Sequence, residues 1–112
     1  MEELNDLELT LLEGLINKYP QFKSHISNLK VTERKLTPTG LDVNLEYKDY
    51  NGELDDINIL FSDGENIEIK SLKEGLSYVI DITFGQITAI EFSTYNEKWD
   101  GKITGYKIVQ KE

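Results

Sequence analysis

The chain contains no cysteine. Disulfides, thiolate nucleophiles and cysteine-ligated zinc are therefore excluded, and the absence fits a reducing compartment. There is one histidine, His25, and one arginine, Arg34. A histidine acts as catalyst or metal ligand only among converging partners, and none lies near His25 in sequence, so it reads as a structural or surface residue. Phosphate and carboxylate clamps lean on the planar arginine fork, so a single arginine argues against phosphate-handling chemistry. Arg34 is expected to pair with Glu33 or Glu46. No apolar run approaches the roughly 18 residues that a membrane span needs. The opening MEELNDLELT carries acids where a secretory leader would carry basic residues and then an apolar stretch. Glycine-rich phosphate loops and a usable Ser/His/Asp order are missing too. These absences point to a cytoplasmic protein with no membrane partner.

Positive charge is also scarce. Twelve lysines and arginines face 21 aspartates and glutamates, a formal net charge of −9. Such a chain repels nucleic acid and anionic lipid and attracts basic partners. The 112 residues fit one domain, 1–112, and 38% hydrophobic residues can fill a core.

Residues 3–18 have helical spacing. Leu4, Leu7, Leu11 and Leu15 recur at three- and four-residue steps, Leu12 and Ile16 widen the stripe, and Pro20 marks the end. A stripe this wide must cover something large, and a sheet face is the expected support. Beyond Gln21 the pattern turns to alternation. LDVNLEY, INILF, NIEI, LSYVIDI, ITAIEFSTY and ITGYKIV read as strands. The expected fold class is α+β, an N-terminal helix packed on one face of an antiparallel meander of six or seven strands.

Five turns share one form, two residues and then glycine, ending at Gly40, Gly52, Gly64, Gly85 and Gly101. Read as three-residue hairpin loops, they bring apolar residues together across each hairpin. Leu45 would face Ile57, Ile59 would face Ile67, Tyr78 would face Ile90, and Phe92 would face Ile108. The same parity sends Asp42, Asn44, Glu46, Glu68, Asp81 and Glu91 to the opposite face, with Ala89, Tyr95, Ile103 and Val109. Residues 29–37 do not fit, because Leu36 falls on the wrong side, and a bulge or an edge strand is expected there.

Three constellations invite chemistry. DYNGELDD has calcium-ligand residue types, but its glycine is misplaced for a calcium loop and a flanking helix pair is missing, so it reads as a solvated hairpin tip. Asp81 and Glu91 could form an acid–base pair, with Tyr95 and Trp99 as substrate-binding aromatics, but an open sheet face is not a cleft. Trp99, at a predicted hairpin tip, is either tucked against the end of the core or exposed as a contact anchor.

The stretch YVIDITFGQITAIEFSTYNEKWDG resembles the C-terminal hairpin of several families of small bacterial proteins, among them immunity proteins of toxin–immunity systems. The shared features are the turn glycine Gly85, Ile87, the Ile90-Glu91 pair, Tyr95 and Trp99. The chain departs from those families at Phe84, where they place Asp or Asn. The resemblance implies a non-catalytic protein that binds and occludes a toxin domain, and an acidic protein suits a basic toxin. The expected function is thus a protein-binding module, with no cofactor, metal or catalytic residue. Its basic partner would meet Asp42, Glu46, Glu68, Asp81, Glu91, Tyr95 and Trp99. The alternatives are a small enzyme or carbohydrate-binding domain using Asp81, Glu91, Tyr95 and Trp99, and a homodimeric structural domain.

Overall fold

The structure, a computed structural model, describes residues 2–103 and 105–110. The leucine stripe forms helix α1, Asp6–Lys18. It starts later than the leucine spacing alone suggests because Asn5 caps it. The Asn5 side chain accepts the Glu8 N–H at 2.8 Å, and the Glu8 carboxylate accepts the Asn5 N–H at 2.9 Å. This reciprocal box satisfies two N–H groups that the helix itself cannot. Leu7, Leu11, Leu12 and Leu15 are buried.

Pro20 does end α1, but the chain does not become extended there. A 3-10 helix, Pro20–Asn28, intervenes and buries Phe22 and His25. The strands follow: β1 Leu29–Thr37, β2 Gly40–Tyr47, β3 Ile59–Phe61, β4 Glu65–Ile69, β5 Leu76–Thr83, β6 Gln86–Thr94 and β7 Tyr106–Gln110. They make one seven-stranded antiparallel sheet in the order β1-β2-β6-β5-β4-β7, with β3 also on β5. The α+β class is as expected. The shortest dimension, 21 Å, holds one helix layer and one sheet layer. Of the expected last strand ITGYKIV, Thr104 lies outside the described residues and Ile103 precedes β7.

Alternation gives the right faces for β2, β5 and β6. Leu41, Val43, Leu45, Leu76, Tyr78, Ile80, Ile90 and Phe92 are all buried in one cluster with the α1 leucines. Which strands are neighbours was not legible in the same way. β2 lies beside β6, with Leu41 opposite Phe92 and Val43 opposite Ile90. The expected β2–β3 hairpin through Gly52 does not form, and β3 pairs with β5 through Ile59–Ile82 and Phe61–Ile80. Residues 62–64 are not a hairpin turn either. β3 and β4 run the same way along β5, so Gly64, at φ +68, marks a break within one interrupted strand. β7 pairs with β4, placing Ile108 opposite Ile67 and not opposite Phe92.

The β5–β6 hairpin explains how the faces survived a wrong register. Its turn is two residues, Phe84-Gly85, with Thr83 opposite Gln86. Both turn residues have positive φ, 48 and 76, as a type I′ turn requires. A two-residue turn alone would reverse the parity, but the register shifts between Asp81 and Ile82, so Asp81 pairs with Ala89 while Ile82 pairs with Ile87. Thr88 is the extra residue, a bulge that restores the parity. Ile80 therefore faces Ile90, and Glu91 faces Val79.

The expectation for residues 29–37 is met on both counts. The register shifts between Val31 and Glu33, and β1 is an edge strand on which Leu36 is half exposed. Arg34 pairs with neither Glu33 nor Glu46. Its Nε and Nη2 donate to Glu8 at 2.9 and 2.8 Å, and Nη1 donates to Glu2 at 2.7 Å. The only arginine thus ties edge strand β1 to a carboxylate of α1 that is 1% exposed.

Candidate functional site

Pairing across the uncovered face of the sheet builds two rows of side chains perpendicular to the strands. One runs Lys35, Asp42, Glu91, Val79. The next runs Glu33, Asn44, Ala89, Asp81, Leu60. Asp42 and Glu91 are direct cross-strand neighbours, and Asp81 lies diagonally from Glu91. Like charges opposite one another destabilise a sheet. Accordingly, burial first, and then the charges of Asp42 and Asp81, hold the Glu91 carboxyl above its ordinary range. Asp81 accepts a hydrogen bond from the Thr83 hydroxyl at 2.9 Å. Among the described residues the ion pairs are Lys30–Glu3, Arg34–Glu2 and Arg34–Glu8, so none neutralises this trio.

The other expected contact residues are dispersed. Glu46 stands opposite Lys30 on β2, beyond the end of the β2–β6 pairing, and Glu68 stands opposite Lys107 on β4. Tyr95, just past β6, donates its hydroxyl hydrogen to Asn66 Oδ1 at 2.9 Å. Trp99 is half-buried, packs against the helix-side core and donates its indole N–H to the Lys102 carbonyl at 3.2 Å. It is tucked, and stands apart from the acidic rows. Ile103 also packs on the core, against the expectation that it faced outward.

Two apolar side chains beside the acids were missed. Leu60 is 71% exposed, in register with Asp81, and Phe84 is 67% exposed at the adjoining hairpin tip. Parity turns Leu60 outward whichever strand β3 joins, but only the β3–β5 pairing sets it beside Asp81, and only the two-residue turn puts Phe84 at the tip. The tip is clasped from below. Asn58 Oδ1 accepts the Phe84 N–H at 3.1 Å, and the Ile57 carbonyl accepts the Gly85 N–H at 2.9 Å. A Cβ on Gly85 would overlap the backbone of Asp55, so this glycine is needed for close approach as well as for its φ.

His25 is built into a different assembly. Its Nδ1 lies 2.7 Å from the Tyr47 hydroxyl, which also accepts the Ile87 N–H at 2.9 Å. The Thr88 bulge ends β2–β6 pairing at Asn44–Ala89, and the tyrosine oxygen takes the place of the missing ladder partner for Ile87. The second hydrogen bond of that hydroxyl goes to Nδ1, with the donor set by the imidazole tautomer. Phe22, Tyr47 and Tyr50 pack edge-on or tilted against the imidazole at 4.8–5.4 Å. Burial pushes His25 below its ordinary value, with Asp55 pulling weakly the other way, and burial raises Tyr47 to about 12. This is a structural histidine.

Concavities lie elsewhere. One of about 520 Å³ between α1 and the 3-10 helix is lined by Leu9, Leu12, Ile16 and Ile26 among others. Asp81 and Glu91 line none of the five described. Among the described residues no group of three His, Asp or Glu side chains is placed to hold a metal ion, the DYNGELDD loop included. No helix among them is long and apolar enough to cross a membrane. No protein-family model, curated protein or solved structure matches the chain.

Proposed function

We propose that this protein is a non-catalytic binding module, an immunity-type inhibitor in character, whose uncovered sheet face receives a basic protein such as a toxin domain. One observation carries the reading: Glu91 is crowded between Asp42 and Asp81 on an open face, with no ion pair among the described residues to offset it. A lysine or arginine from a partner would relieve that repulsion, and exclusion of water on docking would strengthen the attraction. Leu60 and Phe84 supply apolar contact area beside the charges, the mixture that contact surfaces use.

The test compares the wild-type chain with Asp42→Asn/Asp81→Asn/Glu91→Gln as bait in an extract of the native host. A basic protein retained at low salt by the wild type, released by high salt and not retained by the variant is the expected result. Equal retention by both, or retention of nothing, rejects the reading. The same raised Glu91 carboxyl supports a second reading, an acid–base pair or carbohydrate site with Asp81. Against it, Tyr95 and Trp99 do not converge on the pair, and neither acid lines any of the five concavities described above. A homodimer through this face would appear in sedimentation as a doubled mass lost in the triple variant.

A further inference from the structure

We infer that Asn51–Gly52 is a self-modification site, at which the folded protein converts asparagine to aspartate and isoaspartate without an enzyme. Of the eight asparagines, Asn51 alone precedes glycine. The others are followed by residues whose side chains shield the next backbone nitrogen. Asn51 and Gly52 are both exposed and lie outside the strands, in the segment between β2 and β3. No hydrogen bond among the described residues holds the Asn51 amide or the Gly52 N–H. No hydrogen bond of either group has to break before the two come together.

The chemistry balances with solvent alone. Hydroxide removes the Gly52 N–H proton, and the nitrogen attacks Cγ of Asn51. The Cγ–amide nitrogen bond breaks, ammonia leaves, and a five-membered succinimide remains. Water then adds to either ring carbonyl. Opening at one restores an ordinary aspartate, and opening at the other routes the backbone through Cβ and Cγ, which is isoaspartate. One amide is exchanged for one carboxylate, so the net charge of −9 becomes more negative by one.

Packing keeps the reactive pair in place. The Tyr50 ring folds over Gly52 where a Cβ would sit, and its hydroxyl donates to the Glu53 carbonyl at 3.1 Å. A side chain at 52 would have to displace that ring. Gly52 thus lets the Tyr50 ring lie close over the chain. Tyr50 in turn stacks on His25 with ring centroids 4.8 Å apart. An isoaspartyl link lengthens the backbone directly after Tyr50, so the modification is read out at His25.

The folded protein is incubated at mildly alkaline pH, digested and analysed by mass spectrometry, with an isoaspartyl methyltransferase assay in parallel. The expected result is an amide-to-acid mass gain on the peptide containing residue 51, isoaspartyl-positive and rising with hydroxide concentration. Its rate should be within a few-fold of that in denaturant, and Asn51→Gln should abolish it. NMR of the aged protein should show a second set of His25 ring signals. An Asn51 that stays intact in the folded chain while the denatured chain converts would overturn the inference, as would earlier conversion at any other asparagine.

Discussion

Replacing Arg34 by methionine isolates the one buried charge of the helix layer. Glu8 is 1% exposed and receives three hydrogen bonds, two from the guanidinium and one from the Asn5 N–H. Arg34→Met keeps most of the aliphatic packing and removes two of the three, leaving a carboxylate without a counter-ion. Removing one partner of a buried pair costs about 3–5 kcal/mol. The Arg34 side chain is itself 27% exposed, so water reaches part of the vacated site and the low end, about 3 kcal/mol, applies. Losing the contact to Glu2 adds little, because the Glu2 side chain is 71% exposed. At about 2.1 cal/mol/K per residue, a chain of 112 residues unfolds with an entropy near 0.24 kcal/mol/K, so Tm should fall by about 13 °C. Circular dichroism melts at neutral pH, with urea titrations, measure it. Adding Glu8→Gln to the variant should recover about 1 kcal/mol or more, since the stranded charge is then gone. A loss below about 1 kcal/mol in the single variant, or a double variant no more stable than the single, would refute the assignment of this pair as the clasp between β1 and α1.

Gly85→Ala should destabilise by about 3 kcal/mol, combining strain at positive φ with overlap on Asp55, whereas Gly64→Ala, with open space around it, should cost about 1 kcal/mol in the same urea assay. Phe84→Asn should stabilise by about 1 kcal/mol, because asparagine suits the turn and the exposed ring gives up little packing; an unchanged or lower midpoint would contradict the type I′ assignment. His25 is held below 6.5, so between that value and its lower folded one the unfolded chain binds more protons. Its contribution to stability is complete above 6.5 and is lost as pH falls through the window, and His25→Phe should flatten that part of the stability–pH curve. Glu91 has the opposite sign: its raised value means that its charged form opposes folding once pH passes above the window. Glu91→Gln should therefore raise Tm at neutral pH, with the gain shrinking in acid, while weakening capture of a basic partner.

Helix α1 could be read because leucines at three- and four-residue steps leave little choice, but its start could not, because the spacing runs back to Leu4 past the capping box of Asn5 and Glu8. The two faces of the sheet could be read because parity is local. Neighbour identity could not. Val43 opposite Ile59 and Val43 opposite Ile90 satisfy the same rule, and nothing in the pattern prefers one. The glycines misled for a related reason, since the same spacing serves different ends. Gly40 opens a strand where a Cβ would overlap the Phe92 carbonyl, Gly64 breaks a strand, and Gly85 completes a turn. The acidic trio was legible one residue at a time, but the adjacency of Asp42 and Glu91 exists only because β2 lies beside β6. The 3-10 helix escaped because Pro20 closes the leucine stripe and the buried pair that follows, Phe22 and His25, has the three-residue step of one helical face but is too short to stand out as a periodic run.

The placement of β6 between β2 and β5 also governs how the protein can be made. When β2 leaves the ribosome, the strand that will cover its inner edge is almost half the chain away. Until residues 86–94 emerge, the oily side of α1 and β2 has no complete sheet to close upon. Closure of so long a loop comes late in folding and slows it. A nascent chain stalled just short of β6 should be captured by chaperones, and one stalled beyond it should resist protease.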